Sequence, residues 1–161
     1  MSLARTLSAR SAATALFLSV LLFAAFAFAE AQFTTDQMRL VTADNKIHEL
    51  TVELAIDAEQ REQGLMFRRS MAPDHGMLFD FGETRRVMMW MKNTYLALDM
   101  LFIDKNGTVR TIHQDAVPFS EAIIDSREPI AYVLELNAGT VKRFGIKPGD
   151  RLEGARIVGN R

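Results

Sequence analysis

Residues Val87–Asp104 read VMMWMKNTYLALDMLFID, an almost wholly apolar stretch interrupted by Lys92, Asn93, Thr94 and Asp99. Asn93-Thr94 is turn chemistry and divides it into two strand-length runs. In an extended first run, Val87, Met89 and Met91 face one way and Met88, Trp90 and Lys92 the other. Both faces are apolar, the pattern of a central strand covered on both sides. In the second run Leu96, Leu98, Met100 and Phe102 share one face; Ala97, Asp99, Leu101 and Ile103 share the other. The stretch predicts where the core lies and a polar site beside Trp90. It predicts no reaction.

Working outward, Gly76–Phe81 (GMLFDF) precedes the stretch as a strand with Met77, Phe79 and Phe81 on one face. Upstream, Met38–Ala43 and Ile47–Ile56 read as strands around an Asp44-Asn45-Lys46 turn. Asp57 followed three residues later by Gln60 has capping-box spacing and starts a short helix, with Gly64 near its end. Downstream, Asp104-Lys105-Asn106-Gly107 is a hairpin turn, because Asn-Gly tolerates positive φ. Thr108–Gln114 is the returning strand, Asp115–Pro129 a long loop, and Ala131–Asn137 (AYVLELN) another core strand. Gly139–Gly145 reads as a helical turn closed by glycine, and Arg151–Val158 as the last strand. The pattern predicts a mainly β protein: a single antiparallel β-sandwich or jelly-roll-like barrel, with one short helix at about residues 57–66 and a helical turn at about 139–145.

The N-terminus is of a different kind. Arg5 and Arg10, an apolar run from about Ala12 to Ala29, and the small-x-small triplet Ala27-Phe28-Ala29 have the order of a secretory signal peptide over residues 1–29. The rival is an uncleaved anchor over 12–29, since about 18 apolar residues suffice to span a bilayer. Residues 30–37 read as a linker and 38–159 as the domain, placed in the periplasm or outside the cell. Without Arg5 and Arg10 the remainder carries 17 basic and 20 acidic residues. Such a mildly acidic chain is a poor fit to nucleic acid. It has no cysteine, so packing alone must hold it, and neither acylation nor a thiol nucleophile is open to it.

Several blocks together carry a resemblance. Gly64-Leu65-Met66-Phe67-Arg68, Gly76-Met77-Leu78-Phe79, Trp90-Met91-Lys92-Asn93-Thr94, Leu98-Asp99, Phe102-Ile103, Leu134-Glu135 and Gly149-Asp150 resemble the DUF192 family of small, often exported prokaryotic domains. The resemblance covers essentially all of the chain after the leader and implies a compact, jelly-roll-like β fold with no assigned activity. Ala97 and Asn137 depart from it where the family often has proline.

The candidate ligand site consists of Arg68, Trp90, Lys92, Asn93, Thr94, Asp99 and Glu135. A tight connection at Asn93–Leu96 would bring Trp90 opposite Asp99, with Lys92 beside both. A lysine among indole and carboxylates is a structural ion pair, a ligand anchor or a base with a lowered pKa. Glu135, set among Val133, Leu134 and Leu136, adds a second carboxylate. Met89 and Met91 form a Met-x-Met pair whose thioethers suit Cu(I), or else fill the core. His48, His75 and His113 lack zinc spacing, and no Gly-x-Ser-x-Gly is present. The expectation is a non-catalytic module for a small molecule, glycan or protein, without cofactor. A small enzyme using Lys92 with Asp99 or Glu135, and a copper carrier using Met89 and Met91, are its alternatives.

Overall fold

A computed structural model describes residues 31–157; the leader reading falls outside them. Nine strands and two short helices follow in order: β1 (Thr34–Val41), β2 (Ile47–Ala55), α1 (Ala58–Gln63), β3 (His75–Arg85), β4 (Met88–Met89), β5 (Leu98–Ile103), β6 (Val109–Ala116), β7 (Ile124–Asp125), β8 (Ile130–Asn137), α2 (Thr140–Phe144) and β9 (Arg151–Glu153). Seven strands form one sheet in the order β6-β5-β8-β3-β2-β1-β9, and β4 pairs with β7 alone. Strand β1 begins at Thr34, within the stretch read as linker. No helix among the described residues is long and apolar enough to cross a membrane.

The fold is mainly β, but its sheet is mixed rather than wholly antiparallel. Strands β2 and β3 run parallel, Thr51 opposite His75 through Ala55 opposite Phe79. Parallel neighbours need a crossover of about a dozen residues or more. Here α1 and the loop to Asp74 supply it, so the helix is a crossover and not an appendage. Its start is as the sequence predicts: the Asp57 side chain accepts from the Gln60 N–H at 2.8 Å, and the Gln60 side chain accepts from the Asp57 N–H. The hairpin between β5 and β6 also forms, with Gly107 alone at positive φ and the Asp104 carboxylate accepting from Asn106 and Thr108 N–H.

The sheet curls into a half-barrel whose edges almost meet. Thr108 bridges to Arg151, and the Val109 and Leu152 N–H groups donate to Asp150 and Gly107 carbonyls. Inside the curl lies one apolar cluster, drawing Met38, Leu40, Leu50, Val52, Leu101, Leu134 and Leu152 from strands across the sheet and Val141 from α2. A second cluster covers the other face: Met77 and Phe79 of β3, Met100 and Phe102 of β5 and Val133 of β8, capped by Leu65, Val87 and Met91 from loops.

The two halves of the opening stretch have different fates. Leu98–Ile103 is a strand, as the second run predicts, and it is this run that is buried at every residue. The first half is not: only Met88–Met89 is strand, it belongs to the minor sheet, and Met88 and Trp90 are 68% and 50% exposed. Its apolar outward face therefore covers no second layer. Val87 and Met91 turn fully inward and Met89 packs partly buried against the same cluster, so the face the alternation predicts is kept.

Candidate functional site

Glu135 is the centre of the site. It sits on β8, an interior strand, in register with Met77 on one side and Met100 on the other. By strand alternation it shares the face of Val133 and the second cluster. Only 4% of the residue is exposed. Its carboxyl has no hydrogen-bond partner and no compensating charge among the described residues, and burial alone pushes its pKa up from 4.5 to about 8. At neutral pH the group is mostly an uncharged acid.

Above it opens a cleft of about 130 Å³. A dry cavity of about 150 Å³ holds a benzene, so this one fits a small organic group. One wall is Arg61–Met66, the other Met88–Trp90, with Phe79, Phe81 and Thr94 completing the lining. Gly64 is what lets the first wall descend: its φ is +49°, and a Cβ there would stand 3.0 Å from the Phe79 ring. The Arg61 guanidinium is held by main-chain carbonyls of Ile56 and Asp80 at 2.6 and 3.0 Å.

The Trp-Met-Lys-Asn-Thr block is the knot that fixes the second wall. Asn93, at φ 54°, presents its carbonyl to the Phe67 N–H, and its side-chain amide lies 3.8 Å from the Met66 sulfur. Thr94 closes the turn from its N–H to the Met91 carbonyl, donates its hydroxyl to the Lys92 carbonyl, and accepts the Phe119 N–H. Three loops are thereby tied together, leaving Trp90 at the mouth.

The seven candidate residues separate accordingly. Glu135, Trp90 and Thr94 line one cleft, and Asn93 braces it. Arg68 is engaged with the Glu53 carboxylate through both terminal nitrogens and lies 5.5 Å from the Phe33 ring. Asp99 is fully buried and occupied: its two oxygens accept the Asp115 N–H at 3.0 Å and the Val141 N–H at 2.8 Å. Asp99 lies opposite Leu136, so the expected Trp90–Asp99 pairing does not form; β4 pairs with β7 instead. Lys92 is exposed and lies outside the cleft lining. Met91 is sealed in the core while Met89 lines the cleft, so the Met-x-Met pair does not converge on it.

Sequence reasoning passed over Met66, Phe79, Phe81, Met88 and Arg61 as lining residues. The four apolar ones show the patterning that a core residue shares, and Arg61 shows only that of a solvated helix face. A second cleft, of about 300 Å³, lies between β6 and residues 123–127. Its one carboxylate, Asp125, is already committed: hydrogen bonding from Arg86 holds it down at about 2. His113 lines that cleft; His48 stacks on Phe144 with centroids 4.0 Å apart. No group of three His, Cys, Asp or Glu among the described residues is placed to hold a metal.

Comparison with known proteins agrees with this architecture. A crystal structure from Sinorhizobium meliloti 1021, provisionally described as a transcription regulator, is 75% identical, covers 78% of this chain and 98% of its own, and superposes with a TM-score of 0.77. A protein of unknown function from Novosphingobium aromaticivorans DSM 12444 is 30% identical over 76% of this chain and 93% of its own, with a TM-score of 0.71. No curated protein matches the sequence. The family model DUF192, described as Uncharacterized ACR, COG1430, matches residues 39–154. The chain belongs to the DUF192 family.

Proposed function

We infer that this domain is a non-catalytic binding module, and that it takes a small ligand, or a small group projecting from a larger one, into the cleft over Glu135. The observation that carries the reading is a nine-tenths-buried carboxyl, without a partner among the described residues, facing an opening lined by aromatic, thioether and polar side chains. A buried polar group left unpaired costs free energy, and a ligand that pairs with it recovers that cost. Aromatic and thioether side chains with a few polar groups among them are the composition of small-molecule sites. The basic-apolar-small order of residues 1–29 supports a site of action outside the cytoplasm. The Sinorhizobium relative's description as a transcription regulator adds no nucleic-acid role to this proposal, because the formal net charge of −1 gives no phosphate-seeking surplus.

One observation favours a second reading. An acid whose pKa is about 8 is suited to deliver a proton at neutral pH, the general-acid role. It would act without Asp99, whose oxygens are occupied, and without Lys92, which lies outside the lining.

The test is a fragment library followed by ligand-observed NMR, on wild type and on Trp90→Ala. Binding fragments that weaken at least tenfold in the folded variant support the cleft. Fragments that bind both proteins alike, or an empty screen, refute it.

A further inference from the structure

The binding reading leaves the chemistry of the ligand open, and the charges around the cleft narrow it. Resting on that reading, we propose that the group received at the base of the cleft is an alkylammonium cation, seated on the Glu135 carboxylate.

Among the described residues the charged side chains lining the cleft are Arg61, Glu62 and Glu135. Arg61 turns its guanidinium onto two main-chain carbonyls and lies 5.9 Å from the Phe81 ring. A carboxylate or phosphate entering the cleft would thus find no uncommitted cation and two acids. An ammonium group finds the opposite: Glu62 on the α1 wall, Glu135 below, and the π face of Trp90, which attracts cations, while the Phe81 ring is already taken by Arg61 and Arg85. The strands beside Glu135 bring no competing charge, since its register neighbours are Met77 and Met100. An alkyl stem would lie against Met66, Met88 and Met89, whose flexible thioethers adapt to irregular shapes. The ammonium N–H groups supply the donors that Glu135 lacks.

Binding has a proton consequence that separates this proposal from any neutral ligand. The free acid holds its proton at neutral pH; the ion pair needs the carboxylate. The carboxyl O–H therefore breaks, its proton passes to water, and the ammonium keeps all of its own.

The probes are butylammonium, whose amine titrates near pH 10 like that of lysine, and the uncharged n-butanol. The reporter is the emission of Trp90, the sole tryptophan of the chain. With an acid of pKa about 8, the butylammonium Kd should tighten about fifty-fold from pH 6 to pH 8 and level off above. Calorimetry in two buffers of different ionisation heat should show release of about 0.9 proton at pH 7. n-Butanol should bind more weakly, without pH dependence, and Glu135→Gln should lose butylammonium preferentially. The wild-type proton count stands whether or not that variant folds. Should N-acetyl-lysine amide bind better than butylammonium, the natural source is a protein lysine; equal binding identifies a free amine. Butylammonium binding without proton release, or binding equal in a folded Glu135→Gln, overturns the ammonium assignment and leaves the cleft reading standing. Silence of both probes beside retained fragment hits has the same meaning. Silence of both together with an empty fragment screen removes the cleft reading too.

Discussion

Replacing Glu135 by glutamine should make the protein more stable at alkaline pH than at acid pH, relative to wild type. In the unfolded chain this carboxyl titrates at its ordinary 4.5; in the folded protein desolvation raises it to about 8. Between those values the folded state holds a proton that the unfolded state has released. The sign follows: with fewer protons on the unfolded chain, stability falls as pH rises through this window, by up to about 1.4 kcal/mol per pH unit. Integrated from pH 5 to pH 8, the wild type loses about 3–4 kcal/mol through this group. Glutamine fills nearly the same volume and has no proton to lose. Urea titrations of both proteins at pH 5, 6, 7 and 8 would give the difference in unfolding free energy, with histidine and surface terms cancelling between them. That difference should widen in the variant's favour by about 3–4 kcal/mol, most of it above pH 5.5. A difference constant within about 1 kcal/mol would refute the reasoning, because Glu135 would then titrate alike folded and unfolded.

Other substitutions address the neighbouring residues. Asp99→Ala strips the buried N–H of Val141 and the part-buried N–H of Asp115 of their acceptor and should cost about 1–3 kcal/mol in denaturant unfolding. A cost below about 1 kcal/mol would mean that water replaces the carboxylate. Lys92→Met should change stability by no more than about 0.5 kcal/mol, as expected of an exposed side chain, so a large drop in Tm would contradict its placement. Gly76→Ala would put a Cβ 2.6 Å from the Glu135 carbonyl oxygen and 2.7 Å from a Leu136 methyl. The β3–β8 pairing must then open, at a cost of about 1–3 kcal/mol or more, measurable as loss of Tm.

The fold was legible wherever the signal was local. The capping box at Asp57 and Gln60, the Asp104–Gly107 hairpin and the buried alternation of Leu98–Ile103 all depend on neighbours a few residues apart. The parallel β2–β3 pair was not legible in this way. Nothing in Ile47–Ala55 or His75–Arg85 records direction, and α1 is too short to announce a crossover. Met88–Trp90 misled for a different reason. An apolar outward face is the pattern of a sandwiched strand, and the same residues serve equally well as walls of an opening.

The candidate site divides along the same line. Asp99 and Glu135 are both acids within apolar strand sequence, and composition treats them as equals. What separates them is distant in the chain: Asp99 meets N–H donors 16 and 42 positions away, while Glu135 meets methionines. A buried carboxylate supplied with two main-chain donors is stabilised where it stands and ties together the turns that supply them. A buried carboxyl without protein donors keeps its proton instead, and is open to a donor that arrives through the cleft. The absence of a partner among the described residues therefore separates the residue we propose as a ligand's seat from the one that ties turns together. That absence becomes visible only once every neighbour has been placed.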